Sequence, residues 1–453
     1  MSVNRLFVAN RGEIALRILR TAKRLGIETV LGVSDADRDS APARLADRAV
    51  VLGPAQATKS YLDVNLVLHA ATATGCDALH PGYGFLSEKP ELSRRCDEEG
   101  ITFVGPRAET IEALGDKLSA RALAREAGVP TVPGTDHIAT VADAQGAAEE
   151  IGYPVVMKAS AGGGGKGMFL ARTPEDLSAN YDRASREALA AFGDGTLYME
   201  RYVEAARHVE VQIVGDGEGE VVHFGDRDCS VQRRYQKLIE EAQVTAMPPA
   251  LRERLREAAV RLTSYANYRS AGTCEFLYDI AREDFYFIEV NSRIQVEHPV
   301  SEEITGQDLI ARQLSVAAGA GIGVAQQEVT FKGHALEVRI NAEDPLNGFL
   351  PSPGRVAAWE PPTGPGIRID SHMRPGDLIP PFYDSMVGKL IVYADSREAA
   401  IERMLAAIRA FRLEGPKTTI PLAAHIIDHP DFRNNTFSTR WLEDKCLPAF
   451  LQE

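Results

Sequence analysis

The stretch "FYFIEVNSRIQVEHPVSEEITG", residues 285–306, decides the fold because polar and apolar residues alternate along it. In an extended strand, alternate side chains lie on one face. The alternation continues for about thirteen residues, whereas a strand usually contains about five or six, so we expect the chain to leave its sheet midway. The polar residues of this face are Glu289, Asn291, Arg293, Gln295 and Glu297.

The bulk composition is that of an ordinary globular protein, with 44% hydrophobic and 25% charged residues. A chain of 453 residues exceeds a single simple core and indicates about three domains. The net charge of -14 disfavours a nucleic-acid binder, which usually has a basic excess. A local basic pocket for a small anion remains compatible with this charge.

Cysteine usage and the N-terminus indicate a reducing compartment. The five cysteines are odd in number and form no C-x-x-C pair, so neither a disulfide framework nor a structural zinc site is expected. The start "MSVNRLFVANRGE" has no apolar signal region, and no stretch approaches the ~18 apolar residues of a membrane span. We therefore expect a cytoplasmic protein that does not enter a membrane.

The first segment predicts a βαβ unit and hence a parallel sheet. "RLFVAN" (5–10) and "ETVLGVS" (28–34) are predicted strands, and apolar residues at helical spacing lie between them. The turn "NRGEIA" has one glycine where a dinucleotide-binding fingerprint needs three. A nicotinamide cofactor is therefore disfavoured.

The glycine run "GGGGKG", residues 162–167, lies between two predicted strands. It does not match the Walker A pattern, and the strand-like "MFLA" that follows offers no helix N-terminus to a phosphate. The backbone N–H groups of the loop must then bind the phosphate, with charge added by Lys166 and by Lys158. A flexible linker is the alternative, but the flanking apolar strands and the embedded lysine favour a phosphate-binding flap.

Residues 271–291 predict a β-hairpin that turns near Arg282. Glu275 then lies opposite Glu289 or one place away, and facing like charges are destabilising. A bound cation removes this conflict, and two carboxylates with Asn291 provide the oxygen ligands that suit Mg²⁺. A solvated hairpin face is the alternative, which the very apolar neighbours disfavour.

Two further segments carry arginines in polar patterns. "RDCSVQRRYQKLIEE" (227–241) contains Arg227, Arg233, Arg234 and Lys237, which indicates either an anion site or a solvated loop. In "ALEVRINAEDP" (335–345), Arg339 is flanked by acidic residues, a pattern typical of a structural ion pair. Further strands are predicted at 208–214, 273–279, 285–291 and 388–394, with a closing helix over 395–411.

Ten short strings occur in order along the chain: "NRGEIA", "HPGYGFLSE", "GDK", "MKASAGGGGKGM", "HVEVQI", "RDCSVQRR", "EFLY", "EVNSRIQVEHPVSE", "RINAEDP" and "YDSMVGKLI". Together they resemble the biotin carboxylase family of the ATP-grasp superfamily. Each motif alone is weak, but the set follows the family order and spacing across nearly the whole chain.

The resemblance implies an α/β and α+β fold in three domains. An N-terminal βαβ domain (1–115) is followed by an ATP-grasp domain (116–330) that includes a mobile lid at about 130–205. A β-rich C-terminal domain (331–446) completes the chain. Family members commonly form homodimers, and we expect one here.

The resemblance also implies roles for individual residues. The implied catalytic residues are Glu297, Arg293, Arg339 and Lys237. The implied nucleotide contacts are Lys117, Lys158, Gly163, Gly164, Gly165, Lys166, Gly167, Glu200, Arg201, Tyr202, Val203, His208, Gln232, Tyr235, Glu275 and Glu289. The implied metal ligands for Mg²⁺ or Mn²⁺ are Glu275, Glu289 and Asn291. The implied bicarbonate and biotin contacts are Lys237, Arg293, Gln295, Val296, Glu297, Tyr83, Gly84 and Arg339.

The implied reaction is ATP- and bicarbonate-dependent carboxylation of biotin by way of carboxyphosphate. Glu297 would act as general base on bicarbonate, and Arg339 would stabilise the enolate-like oxygen of biotin. The chain lacks the Met-Lys-Met string of a biotin attachment site, so biotin is expected on a separate carrier protein or domain. A carboxyltransferase subunit is the further expected partner. This is the first half-reaction of a biotin-dependent, acyl-CoA-type carboxylase.

One departure from the family pattern lies near the implied nucleotide site, where Tyr235 occupies the usual histidine position of the "QRRxQK" string. A phenol can still stack and donate a hydrogen bond. Two alternatives remain: another ATP-grasp ligase that joins a carboxylate to an amine, and a non-catalytic nucleotide-binding subunit. The string "EVNSRIQVEHPVSE" with Arg339 favours biotin over both.

Overall fold

The predicted N-terminal βαβ unit is present, extended to a five-stranded parallel sheet. The computed structural model describes residues 3–159 and 168–452 of the chain. Ile14, Ile18 and Leu19 of the first helix are buried, as their helical spacing predicts. The elements are β1 (Arg5–Val8), α1 (Gly12–Arg24), β2 (Glu28–Ser34), α2 (Ala41–Leu45), β3 (Arg48–Gly53), α3 (Val64–Ala73), β4 (Ala78–His80), α4 (Pro90–Glu98), β5 (Thr102–Phe103) and α5 (Ala108–Gly115).

A smaller antiparallel sheet follows, in the order β6-β9-β7-β8, with α7 and α8 packed on it. The two strands predicted on either side of the glycine run are present as the paired strands β7 and β8. The run itself lies outside the described residues. The elements are α6 (Lys117–Glu126), β6 (Gly134–Ile138), α7 (Val141–Ile151), β7 (Val155–Ala159), β8 (Met168–Ala171), α8 (Pro174–Phe192) and β9 (Leu197–Arg201).

The largest layer is an eight-stranded antiparallel sheet in the order β14-β13-β10-β11-β12-β15-β22-β20. Its first part contains the predicted hairpin, which turns between Asp279 and Asp284, and β14 ends at Asn291, midway along the alternating stretch, as expected. The elements are β10 (Ala206–Asp216), β11 (Val221–Arg233), β12 (Gln236–Ala242), α9 (Pro249–Tyr265), β13 (Arg269–Asp279), β14 (Asp284–Asn291), α10 (His298–Thr305) and α11 (Leu309–Ala317).

The last part of the chain adds the remaining strands of this sheet and a separate apolar core, to which α12 contributes Ile401, Met404, Leu405 and Ile408. The predicted final strand and helix are both present. The elements are β15 (His334–Asn341), β16 (Glu343–Asp344), β17 (Leu350–Pro351), β18 (Gly354–Arg355), β19 (Ala358–Glu360), β20 (Ile367–Ser371), β21 (Leu378–Ile379), β22 (Met386–Ala394), α12 (Arg397–Ala410), β23 (Arg412–Glu414), α13 (Ile420–Asp428), α14 (Pro430–Arg433), a π-helix (Leu442–Cys446) and α15 (Leu447–Phe450).

The strand register places a row of charged side chains across the large sheet. Arg227 on β11 pairs with Glu210 on β10, Glu210 pairs with Glu275 on β13, and Glu275 pairs with Glu289 on β14. Directly paired residues lie on the same face of a sheet. Three carboxylates therefore lie side by side, beginning next to a guanidinium.

All five cysteines are buried and free, as the odd number and the spacing predict. Among residues 3–159 and 168–452, no helix combines the length and the apolar character that crossing a membrane requires.

A buried ion pair joins the large sheet to the C-terminal helices. Arg397 donates to both oxygens of Glu241, at 2.6 and 2.9 Å, and also to the Phe432 carbonyl oxygen. Burial raises the pKa of Glu241, but Arg397 and a hydrogen bond from His334 outweigh it and lower the pKa to about 2. The stabilisation from this carboxylate is therefore present above pH 4.5 and is lost as the pH falls toward 2.

Arg397→Met should lower the free energy of unfolding by about 3–5 kcal/mol at pH 7, because Glu241 becomes a buried charge that has lost its arginine and keeps only the His334 ring as a side-chain partner. Denaturant unfolding measures the change. The difference from wild type should shrink as the pH falls from 4.5 toward 2. The control is Arg412→Met, whose partners Glu360 and Glu414 are exposed, so its stability should stay near wild type. Equal losses in both variants would contradict the prediction.

Candidate active site

A cleft of about 1050 Å³ lies between the parallel sheet, the β6–β9 sheet and the large antiparallel sheet. Each sequence-predicted site residue that the structure describes lines this cleft; Gly163, Gly164, Gly165, Lys166 and Gly167 lie outside the described residues. The lining residues among the predictions are Tyr83, Gly84, Lys117, Lys158, Glu200, Arg201, Tyr202, Val203, His208, Gln232, Tyr235, Lys237, Glu275, Glu289, Asn291, Arg293, Gln295, Val296, Glu297 and Arg339.

Lys237 is the electrostatic centre of the cleft. Its ammonium group donates to Glu210 at 2.6 Å, to Glu275 at 2.9 Å and to Glu297 at 2.6 Å. Burial alone would lower the pKa of Lys237, but the three carboxylates raise it well above its usual value. The lysine is therefore charged and holds carboxylates from three separate segments in one place.

Arg227 anchors the same group from inside the sheet. This fully buried guanidinium donates to Glu210, to Gln212 at 2.7 Å, and to Thr273 and Gln295 at 3.0 Å. The four cations of 227–241 therefore do not form one anion site, because these protein acceptors occupy the buried guanidinium of Arg227. Of the four, Lys237 lines the cleft, whereas Arg233 stacks on Phe349.

The predicted metal ligands meet across the β13–β14 hairpin. Glu275 and Glu289 are direct cross-strand partners, and the Asn291 amide donates to Glu275 at 2.9 Å. Among the described residues, the Glu289 carboxylate is the member of this set with neither a hydrogen bond nor an ion pair. Burial and the neighbouring Glu275 charge raise the pKa of Glu289. A half-buried carboxylate without a partner, beside a second carboxylate, fits the charge of a divalent cation.

The segment beyond β14 brings its polar residues together without strand geometry. Arg293 donates to Glu88 and to the Asn291 side chain, both at 2.9 Å. The Gln295 amide donates to Glu275 at 2.9 Å. These bonds hold the guanidinium beside the hairpin, so the predicted division of the stretch into a strand part and a loop part is confirmed.

Glu297 lies between two cations, immediately before α10. Its carboxylate accepts from Lys237 at 2.6 Å and from Arg339 at 2.9 Å. Burial raises the pKa of Glu297 and Lys237 lowers it; with the further contribution of Arg339 the pKa falls to about 2. Arg339 also donates to the buried Glu240 at 2.5 Å, which leaves its guanidinium at a defined orientation in the cleft.

Another part of the cleft lining consists of lysines and apolar side chains. Lys158 forms an ion pair with Glu200, which also pairs with Arg121. Burial, Lys117 and Arg121 lower the pKa of Lys158 to about 8. Apolar residues of two sheets also line the cleft and offer surfaces that suit a flat aromatic base; we call them together the apolar wall. They are Val156, Met168 and Leu170 on β7 and β8, and Leu277, Phe287 and Ile288 on β13 and β14.

Two predicted nucleotide contacts have unexpected surroundings. His208 lies with Nε2 3.0 Å from Glu275, beside the carboxylate row. Tyr235 is 60% exposed at the mouth of the cleft, and it and Arg234 have φ values of 65° and 47°. Both residues occupy the left-handed region in the tight turn between β11 and β12, which non-glycine residues rarely adopt.

Comparison with known proteins agrees with this geometry. The chain matches "Biotin carboxylase, N-terminal domain" over residues 2–111, "Carbamoyl-phosphate synthase L chain, ATP binding domain" over 116–324 and "Biotin carboxylase C-terminal domain" over 337–444. It is 47% identical to Biotin carboxylase 1 of Bacillus subtilis over 97% of this chain and 98% of the relative. The chain belongs to the biotin carboxylase family.

Solved structures of this family superpose on almost the full chain. The biotin carboxylase of Campylobacter jejuni in complex with β,γ-ATP has a TM-score of 0.93 and 43% identity, and covers 98% of this chain and 99% of its own. The biotin carboxylase domain dimer of Hydrogenobacter thermophilus 2-oxoglutarate carboxylase, described with MgADP, ADP and bicarbonate, has a TM-score of 0.91 and 44% identity, and covers 98% of each chain.

Several residues that shape this biotin carboxylase site were missed by the sequence reasoning. Glu210 lies on the predicted strand 208–214, and Glu240 lies in the basic segment 227–241, for which no strand was predicted; the role of each depends on which strands are neighbours. Glu13 lies in the quoted string "NRGEIA", yet its bond with Tyr83 joins residues 70 positions apart. The sequence did not mark the residues of the apolar wall as ligand contacts, because apolar residues on strands usually belong to the hydrophobic core.

The variant Glu289→Gln is expected to change stability and metal binding in opposite directions. We expect the melting temperature of the metal-free protein to rise, because the substitution removes a charge that faces Glu275. The gain in ADP affinity on adding Mg²⁺, measured by titration calorimetry, should fall at least about tenfold. Glu283→Gln at the exposed end of the same hairpin is the control and should change neither quantity. A preserved Mg²⁺ effect in Glu289→Gln would contradict the metal assignment.

Proposed function

We propose that this chain carboxylates biotin at the expense of ATP and bicarbonate, with carboxyphosphate as the intermediate. The observation that carries this conclusion is the position of Glu297, which is held between Lys237 and Arg339. Lys117, Lys158 and the apolar wall line another part of the same cleft. Family membership over almost the full chain supports the same reaction. The protein is therefore an ATP-dependent ligase.

Bicarbonate is proposed to bind beside Arg293, Lys237, Gln295 and Val296, with Glu297 as the general base. A carboxylate with a pKa of about 2 is ionised at neutral pH, so it is in the state that accepts a proton. The same low pKa makes it a weak base while both cations hold it. An incoming anion that takes up part of this cationic charge would raise the basicity of Glu297.

The nucleotide is proposed to lie between the apolar wall and the lysines. Lys117 and Lys158 provide positive charge for phosphate oxygens, and the glycine-rich segment 163–167 is proposed to cover them. Further contacts are assigned to Glu200, Arg201, Tyr202, Val203, His208, Gln232 and Tyr235. When bound by Glu275, Glu289 and Asn291, Mg²⁺ or Mn²⁺ would neutralise phosphate charge during transfer to bicarbonate.

Biotin is proposed to enter at the Arg339 end of the cleft, next to Tyr83 and Gly84. The Arg339 guanidinium donates to two carboxylates and is fully charged, so it can stabilise the oxyanion that forms when the ureido nitrogen loses its proton. Gly84 has a φ of 69°, a left-handed conformation that gives the backbone close access to a ligand.

We propose three functional domains at 1–115, 116–330 and 331–446, with a lid at about 130–205. The separate core of the β6–β9 sheet supports the lid assignment. A homodimer is proposed because a relative is described as a dimer. The proposed partners are a biotin carrier protein or domain and a carboxyltransferase.

The final acceptor is proposed to be an acyl-CoA or a 2-oxo acid. Similar proteins include the "2-oxoglutarate carboxylase small subunit" of Hydrogenobacter thermophilus and a solved "biotin carboxylase subunit of pyruvate carboxylase". A role in fatty acid biosynthesis is proposed as a special case of the acyl-CoA acceptor. A cytoplasmic location is proposed on the five buried free cysteines.

ADP release from the purified chain tests the reaction directly. With MgATP, bicarbonate and free biotin present, turnover should be observed, and omission of either bicarbonate or biotin should reduce it at least about tenfold. A coupled ADP assay measures the rate. Turnover that stays the same when biotin is omitted would refute the proposed function and favour another ATP-grasp ligase. Absence of turnover with intact ADP binding would favour a non-catalytic nucleotide-binding role.

Arg339→Ala should reduce biotin-dependent turnover by about 10²- to 10³-fold, because one oxyanion donor is lost from a buried site. ADP affinity, measured by calorimetry, should remain within about twofold of wild type, since Arg339 bonds to Glu240 and Glu297 and not to the residues assigned to the nucleotide. Arg355→Ala, on an exposed strand of the C-terminal region, is the matched control. Loss of ADP binding in Arg339→Ala would count against the assignment.

A further inference from the structure

Lys389 on β22 is a fully buried cation that the assigned reaction does not use. The register places it directly opposite Arg339 on β15, so two cationic side chains share one face of the sheet. Directly opposite like charges are destabilising, and an aliphatic residue would suit such a buried strand position. The pairing with Arg339 therefore does not by itself favour a lysine at this position.

The Lys389 ammonium group holds the peptide that leads into the general base. It donates to the Val296 carbonyl oxygen at 2.8 Å. That carbonyl belongs to the peptide bond between Val296 and Glu297. A charge-assisted bond to this oxygen fixes the rotation of the peptide and with it the direction in which the Glu297 side chain leaves the backbone.

The same ammonium group reaches the biotin end of the cleft through Glu13. Its nitrogen lies 3.3 Å from Glu13 Oε1, and the Tyr83 hydroxyl donates to that same carboxylate oxygen. Glu13 is buried on the first turn of α1. Lys389 therefore contacts, through one carboxylate, an aromatic side chain that lines the cleft beside Arg339.

Other charged groups around Lys389 account for its buried charge. Asp370 lies 4.0 Å away on the neighbouring strand β20. Burial lowers the pKa of Lys389, but Glu13, Glu337 and Asp370 outweigh this and raise it. These carboxylates therefore favour the charged form of the Lys389 side chain.

We propose that Lys389 is a positioning residue that fixes the orientation of Glu297, the bicarbonate base, relative to Tyr83 on the biotin side. It acts on Glu297 through the Val296–Glu297 peptide and on Tyr83 through Glu13. This inference rests on the proposed function, because it assigns Glu297 to bicarbonate and Tyr83 to biotin. Lys389 itself does not line the cleft and touches no reacting atom.

Lys389→Met tests the inference, because methionine keeps much of the length and removes the donor and the charge. In the bicarbonate- and biotin-dependent ADP assay, we expect the KM for bicarbonate to rise about tenfold and kcat to fall at least about tenfold. The dissociation constant for MgADP should change less than about twofold. A purely structural role would weaken nucleotide binding and bicarbonate use together.

The double variant Glu13→Gln/Lys389→Met separates stability from positioning. Lys389→Met leaves Glu13 as a buried carboxylate that keeps the Tyr83 hydroxyl but has lost its cation, so the melting temperature should fall. Adding Glu13→Gln removes the uncompensated charge and should restore most of that loss. The bicarbonate KM should nevertheless stay high in the double variant, because the Val296 carbonyl still lacks its donor. If Lys389→Met does not fold, the double variant carries the test.

Arg397→Met is the matched control, since it removes another buried cation of the C-terminal region that does not line the cleft. Its melting temperature should fall, while the KM for bicarbonate and the KM for biotin should each stay within about twofold of wild type. The inference is overturned if active wild type and the double variant share the same bicarbonate KM, or if MgADP binding weakens as much as bicarbonate use. Absent wild-type turnover would instead refute the proposed function itself.

Discussion

The site depends on one ammonium group surrounded by three carboxylates. Lys237 on β12 contacts Glu210 on β10, Glu275 on β13 and Glu297 beyond β14. Without this cation, three buried negative charges would repel one another, and protonation of each would be favoured. With it, all three stay ionised close together, which is the condition for holding both a metal ion and an anion in one cleft.

The second constraint is the antiparallel sheet, which turns sequence-distant residues into neighbours. Arg227 extends the charged row from the interior and ties Glu210 to Gln295 through the planar fork of its guanidinium. The arginine therefore stabilises the carboxylate row and the bicarbonate loop at once. This arrangement has a cost in free energy, because the Glu289 carboxylate is repelled by Glu275. A bound cation would supply the compensating charge.

Local pattern was sufficient for much of the fold and for the residue types of the site. Helical spacing in α1 and α12, the hairpin of β13 and β14, and the end of β14 at Asn291 all follow from periodicity, strand length or turn position. Family resemblance then named the cleft residues. The basic segment 227–241 was interpreted less well. Arg227 is buried inside the sheet and shares the Glu210 carboxylate with Lys237, whereas Arg233 stacks on Phe349, and these positions depend on the partner strands.

By itself, the sequence determined the strand and helix pattern, the family and the side chains available for the chemistry. Local periodicity and short motifs carry that information within a few residues of the chain. Only the tertiary structure decided that Glu240 orients Arg339, that Glu13 meets Tyr83, and that Lys389 holds the Val296 carbonyl oxygen. These contacts join residues tens or hundreds of positions apart, so they depend on strand order and register, which no local pattern specifies.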